Sequence, residues 1–365
     1  MSVFSELFLK VIGEAVASRN AVDLVELENF HTWVSSQPKI ETHVHVEAAT
    51  GREFYSKLAQ PSSWRESRPW ERVPFANLRG FIDAWVDLSK SIRSLTDFEG
   101  MAEAFVAQRA AEKIVYSEAY VSPADFSFIR ERFSIADEVF PFEQVVRAYL
   151  RGLKRALLVK PGVEVRVIVD SLWISTNEER EIVLSAIKNI FEDGDAGCDS
   201  FGEPLIVGVG LGGMENHRFL DEQREFFAQM RSLGLKIDIH SGEGGGAEVH
   251  KASVEALRPD RVAHGFAGVS ENFLFADNLV MCPLSNILLK TYQGPLHSHP
   301  VFECLRRGVP ICIGSDDPLL LGNSLALEYT FIHAVTGRGH EAFSFTQKNA
   351  RERVFAPGIL RRVEA

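Results

Sequence analysis

The stretch Lys236-Ile237-Asp238-Ile239-His240-Ser241-Gly242-Glu243 sets the pattern for the whole chain. Two isoleucines in alternation make a short buried strand; the strand stops on a histidine, a small turn follows, and a carboxylate comes next. The same order recurs in Ile40-Glu41-Thr42-His43-Val44-His45, in Arg261-Val262-Ala263-His264-Gly265 and in Pro310-Ile311-Cys312-Ile313-Gly314-Ser315-Asp316-Asp317-Pro318. Three strand ends that carry imidazoles and one that carries carboxylates imply a metal site at the carboxyl face of a parallel sheet.

Working outward, eight apolar runs read as strands: Pro38–His45, Ile114–Val121, Val165–Val169, Leu205–Val209, Lys236–His240, Arg261–His264, Leu279–Cys282 and Pro310–Ile313. Gly210-Leu211-Gly212-Gly213 follows the fourth run. Helical patterns over about 137–159, 177–191, 217–233, 247–257 and 296–307 separate the later strands. Strict alternation of strand and helix predicts an α/β fold, a (β/α)8 TIM barrel, in one domain spanning residues 1–365. Apolar stripes Phe4, Leu7, Phe8, Val11, Ile12, Val16 and Leu24, Leu27, Phe30, Val34 predict extra N-terminal helices over 1–37, packed against the main body. Residues 52–110 read as a helical, lid-like insertion after strand 1, rich in aromatics (Phe54, Tyr55, Trp64, Trp70, Phe75, Phe81, Trp85). Residues 324–355 read as terminal helices.

Composition narrows the function. The 365 residues carry a formal charge of -11, which argues against a nucleic-acid or anionic-membrane partner. No apolar run approaches the roughly 20 residues of a membrane span. The first residues, Met1-Ser2-Val3-Phe4-Ser5-Glu6, lack a basic region followed by an apolar core, so no secretory signal is expected. Four cysteines without CxxC spacing (Cys198, Cys282, Cys304, Cys312) fit reduced thiols in a cytoplasmic protein.

The strand-end residues suggest the chemistry. His43 and His45 are two apart on a strand and so share a face. With His240 and Asp316 they make three imidazoles and one carboxylate, a set that zinc accepts with water completing a catalytic site; iron or manganese fits somewhat less well. Glu243, three residues after His240, is placed for general acid/base work. His264 is either a ligand or a partner for the attacking hydroxide. Asp317, next to Asp316, is free to contact substrate. Gly212 and Gly213 permit close backbone approach, so an N–H there could meet a ligand acceptor. Gly242-Glu243-Gly244-Gly245-Gly246 lacks the Lys-Ser/Thr of a phosphate loop. His297 and His299 mark a helix start, Cys304 and Cys312 read as core, and no Gly-x-Ser-x-Gly elbow exists.

Taken together, Pro38-Lys39-Ile40-Glu41-Thr42-His43-Val44-His45, Leu211-Gly212-Gly213, His240-Ser241-Gly242-Glu243, Arg261-Val262-Ala263-His264-Gly265, Cys282-Pro283-Leu284-Ser285-Asn286 and Ser315-Asp316-Asp317-Pro318 resemble, in order, the motifs of the adenosine deaminase family of metal-dependent amidohydrolases. The resemblance implies that His43, His45, His240 and Asp316 bind one zinc per chain. It counts Asp316 among the catalytic groups and His45 among those facing substrate. Glu243 would protonate the purine ring nitrogen beside the reacting carbon, and His264 would hold the attacking hydroxide. Asp317 would bond the imidazole-ring nitrogen of the purine, and the Gly213 N–H a third ring nitrogen. The implied reaction is hydrolytic loss of a 6-amino group as ammonia. Adenosine is the first expected substrate. Adenine or a modified adenosine is the alternative, and a deaminase-fold binding protein is a distant one. A small-molecule purine is thus the expected partner, with monomer and homo-oligomer both open. Three departures stand out: Val46-Glu47-Ala48 where relatives often carry Leu-Asp-Gly, Ser241 in place of a frequent alanine, and Gly314 where many have asparagine. Only the first touches the substrate end of the pocket, where Glu47, two residues after His45 and so in strand register on the same face as His43 and His45, is expected to read the sugar.

Overall fold

Eight short runs of aliphatic residues form parallel strands that pair strictly in chain order: β1 (Lys39–Glu41), β2 (Ile114–Val121), β3 (Glu164–Leu172), β4 (Ile206–Gly212), β5 (Lys236–Ser241), β6 (Arg261–His264), β7 (Leu279–Met281) and β8 (Ile311–Ile313). The computed structural model describes residues 4–16, 22–58, 60–65, 67–136, 138–270 and 278–364. The strands curl into a nearly closed (β/α)8 barrel with helices outside, the fold expected of the alternating pattern. The seam between β8 and β1 closes at the functional end. There His45 N–H donates to the Asp316 carbonyl (2.9 Å), and Ser315 N–H donates to the Glu41 carboxylate (2.8 Å).

Several expected boundaries shift. β1 ends at Glu41, because the chain bends at Thr42; His43 and His45 lie beyond it, tied to the sheet through bridges of Val44 to Asp316 and of His45 to Tyr120. β4 runs on through Gly210 and Gly212, which belong to the strand and not to the loop after it. β3 extends three residues past Val169. A third terminal helix, Pro357–Glu364, follows Leu325–Thr336 and Gly339–Arg353.

The region 52–110 divides in two. Leu95–Ala111 is the ordinary crossover from β1 to β2 and packs on Phe142–Val159 so closely that Gly152 meets the Glu99 backbone. The true excursion is 52–92, made of the helices Arg52–Lys57 and Leu78–Ser89 with two 3-10 turns between them. Most of its aromatics are taken up by the core: Tyr55, Trp64, Trp70 and Phe75 are all buried. The N-terminal helices Glu6–Val16 and Leu24–Ser36 pack as expected, with Phe4, Phe8, Ile12 and Leu27 against Leu284, Leu288, Leu321 and Phe331. Among the described residues no helix is long and apolar enough to cross a membrane.

The barrel floor is polar. Arg261 donates to Asp238 (2.7 Å) and to Glu118 (2.5 Å), and all three side chains are fully buried. Removing one partner would leave an uncompensated buried charge, so the network fixes β2, β5 and β6 in register beneath the site.

Candidate active site

The strand ends bring the expected residues together. Across β5 and β6 His240 pairs with Ala263 and Ser241 with His264, and the His240 and His264 rings lie 5.4 Å apart. His43 Nε2 lies 3.1 Å from Asp316 Oδ1, His45 Nε2 lies 3.6 Å from the same oxygen, and His45 Nε2 is 3.0 Å from His240 Nε2. One ligand-capable atom from each of His43, His240, His264 and Asp316 falls within 4.8 Å of the others, and His45 forms a second such group with Asp316 and Asp317. Asp316 (φ 63°) and His264 (φ 64°) both hold left-handed backbone, which costs a non-glycine residue of order 1 kcal/mol or more and is typical of functional positions.

Hydrogen bonds sort these imidazoles by role. His240 Nδ1 donates to the Leu211 carbonyl (3.2 Å), so a neutral His240 turns the lone pair of its Nε2 toward the cluster. The Asn286 amide nitrogen donates to His264 Nδ1 (3.1 Å), so a neutral His264 carries its proton on Nε2, 3.7 Å from Glu243 Oε2. His264 therefore presents a donor where His240 presents an acceptor. Burial lowers His43, His45 (to about 3) and His240, keeping the rings neutral. Burial works to raise Asp316, but His264 beside it and the hydrogen bond from His43 outweigh it and hold the carboxyl well below its usual range. Ser285 adds a hydrogen bond to Asp316 Oδ2 (2.5 Å). Neutral rings around one ionised carboxylate, with the Nδ1 atoms of His43 and His45 unpartnered, are a donor set that fits a divalent transition metal.

Glu243 sits on the turn after β5. Burial raises its carboxyl to about 7, opposed by His264, so near neutrality it holds a proton it can give. Its side-chain partners are distant: Asn286 Nδ2 and Thr291 Oγ1, each 3.5 Å from Oε1. The turn itself is held by Glu215, whose carboxylate accepts the N–H groups of Gly242, Glu243 and Gly244, each at 2.8 Å.

At the substrate end, Glu47 departs from the strand register expected of it. It lies in a turn, its Oε1 accepts the Ser122 N–H at the end of β2 (2.8 Å), and its Oε2 is buried without a partner. Burial raises Glu47 to about 7. Burial, and then the charges of Asp316, Glu243 and Glu47, raise Asp317 well above the carboxylate range. Gly213 follows β4 with φ 80° and is exposed. The Asp170 carboxylate leans into the room beside it: a Cβ on Gly212 would stand 2.2 Å from Asp170 Oδ2, so only glycine fits there. Trp85 reaches over the mouth, its ring 5.6 Å from His45 and its Nε1 donating to Asp125 (2.8 Å).

Sequence reasoning missed the roles of Glu215, Ser285, Asn286 and Asp170. Ser285 and Asn286 stood in a quoted motif, but nothing in the spacing says which side chain meets Asp316 or His264. Glu215 lies two residues after Gly213, in a loop whose partner loop is visible only in three dimensions.

A parallel barrel whose strand ends gather neutral imidazoles, an ionised aspartate and a proton-bearing glutamate defines a metal-dependent hydrolase of the amidohydrolase class. Residues 38–362 match the adenosine deaminase family, and the chain belongs to it. An adenine deaminase from Ectopseudomonas mendocina is 28% identical to it over 85% of this chain and 95% of its own length. Among solved structures, the Arabidopsis N6-mAMP deaminase superposes with a TM-score of 0.74 at 20% identity, covering 91% of this chain and 98% of its own. A Burkholderia ambifaria amidohydrolase with bound Zn gives 0.73 at 18% identity, covering 94% and 95%. The chain is thus an aminopurine deaminase by family, a hydrolase of C–N bonds in cyclic amidines.

Proposed function

We propose that this chain is a zinc-dependent deaminase of unphosphorylated 6-aminopurines and that free adenine is its preferred substrate, ahead of the adenosine expected from sequence. The observation that carries the choice is the pair Glu47 and Asp317. Both are buried carboxyl groups that burial raises above their ordinary range, and the Glu47 charge adds to the rise at Asp317. The imidazole ring of a free purine offers one N–H and one bare nitrogen. A protonated Asp317 donates to the bare nitrogen, and the unpartnered Glu47 Oε2 accepts the N–H. A base glycosylated at that nitrogen has no hydrogen to give, and a buried acceptor left unmet costs about 1–3 kcal/mol. The similarity to adenine deaminases supports the same reading.

Two further features bear on substrate. Of the aromatics in 52–92, Tyr55, Trp64, Trp70 and Phe75 are buried in the core, which leaves little aromatic wall for a nucleoside to stack on. The groups at the far end are acidic (Glu47, Asp125, Asp170), and Arg130, the cation felt by Asp125, is bonded to the carbonyls of Ser89, Ile92 and Glu138. That lining suits neutral donors and repels a phosphate ester.

In this reading His43, His45, His240 and Asp316 hold the zinc, which when bound supplies the electrostatic activation that lets water attack at neutral pH. Glu243 donates its proton to the ring nitrogen beside the carbon that carries the amino group. The His264 Nε2–H orients the incoming oxygen, and the Gly213 N–H meets another ring nitrogen. One water is consumed and one ammonia released, leaving a 6-oxopurine. Ammonia release should be measured with adenine, adenosine, AMP and their N6-methyl forms. We expect kcat/KM to be highest for adenine and lowest for AMP; a faster reaction with adenosine or AMP would overturn the substrate assignment.

A further inference from the structure

We propose that Glu215 is the positioning residue for the proton donor Glu243, an inference that rests on the acid role assigned to Glu243 above. Three consecutive backbone N–H groups, those of Gly242, Glu243 and Gly244, converge on the Glu215 carboxylate. Each bond is 2.8 Å, and a carboxylate acceptor makes each stronger than a neutral pair. The loop is shaped to admit this contact. Gly242 has φ 74°, and a Cβ there would stand 3.0 Å from the His250 ring. A Cβ on Gly245 would stand 2.7 Å from Glu215 Oε2. Glycine at both places lets the turn wrap around the carboxylate.

The contrast with the Glu243 side chain decides the role. Its own polar contacts, to Asn286, Thr291 and His264, are 3.5 Å or longer. They are too long to fix its direction. Its backbone N–H, by comparison, is held at 2.8 Å. The aim of the Glu243 carboxyl is therefore set by where its Cα sits, and Glu215 sets that. Because Glu215 belongs to the loop after β4, it also couples the Gly213 N–H to the acid, keeping two substrate-facing groups on adjacent strands in one frame.

A double-mutant cycle tests this. Glu215→Gln keeps the size but turns one acceptor into a donor facing an N–H; Glu215→Asp keeps the charge on a shorter arm. Each is made in the full-length, zinc-loaded chain, alone and with Glu243→Gln. The readouts are kcat, KM, bound zinc and thermal midpoint. We expect Glu215→Gln to lower kcat about 10- to 100-fold, the scale of a small misplacement of a catalytic group, with KM and bound zinc unchanged and Glu215→Asp in between. In the Glu243→Gln background the same substitution should change kcat by less than about 3-fold, because the group it positions is gone. An unchanged kcat in Glu215→Gln, or an equal loss in both backgrounds, would overturn the positioning role while leaving the acid assignment standing. A Glu243→Gln chain as active as wild type would overturn both.

Discussion

Gly152 offers a severe test of the barrel's outer layer. A Cβ at this position would lie 2.2 Å from the Glu99 carbonyl oxygen and 2.7 Å from that residue's carbonyl carbon and Cα. Relieving the overlap requires the helices Leu95–Ala111 and Phe142–Val159 to part by more than an ångström, since the obstacle is backbone and has no rotamer to swing away. Overpacking of this kind costs about 3 kcal/mol. Replacing a helical glycine by alanine returns about 1 kcal/mol of propensity. Gly152→Ala should therefore destabilise by about 2 kcal/mol. Gly13, on the exposed side of the helix Glu6–Val16, has nothing within 4 Å of its Cβ, so Gly13→Ala should stabilise by roughly 0.5–1 kcal/mol. Urea unfolding of the zinc-saturated proteins measures both. A Gly152→Ala midpoint at or above that of wild type would mean that the two helices do not pack as described and that residues 95–111 are not the first crossover.

Glu243→Gln should retain metal and fold and lose at least about 10²-fold in kcat, the usual scale for an acid/base group; activity within a few-fold of wild type would show that the proton comes from elsewhere. Glu47→Gln keeps the bond to the Ser122 N–H but presents an amide donor to substrate, so adenine kcat/KM should fall about 10- to 100-fold while adenosine changes less than about 3-fold; equal losses would refute the contact. His299 caps Pro300–Arg307 through its Nδ1, and burial holds the ring down at about 3. Unfolded, the ring titrates near 6.5, so its contribution is complete above that pH and is lost as pH falls through the interval down to about 3. At about 1.4 kcal/mol per unit this is about 2 kcal/mol between pH 7 and pH 5. His299→Asn keeps a capping oxygen and should flatten the acid side of the stability curve by that amount; an unchanged slope would place the sensitivity in other groups.

Sequence made the barrel legible because strands buried on both faces read as apolar runs and because the metal-type residues sit at their ends. His240, His264 and Asp316 could be named from one-dimensional context alone. The limits were physical. β1 is three residues long, and a period-two extrapolation carried it past its bend at Thr42, which misplaced Glu47. Aromatic content marked 52–92 as an excursion but could not distinguish the core residues Trp64 and Trp70 from Trp85, which reaches the site. Contacts between loops, such as Glu215 with the Glu243 turn or Asn286 with His264, depend on strand register and leave no periodic trace.

The most direct measurement is to load the purified chain with zinc, add adenine, and follow conversion to the 6-oxopurine by ultraviolet absorbance alongside released ammonia. We expect one ammonia per base converted and about one zinc per chain. We also expect loss of turnover on chelation, its return when zinc is restored, and no turnover in His240→Ala. No ammonia from adenine, adenosine or AMP with the zinc site filled, or undiminished turnover in His240→Ala, would contradict the assignment of aminopurine deamination to this site.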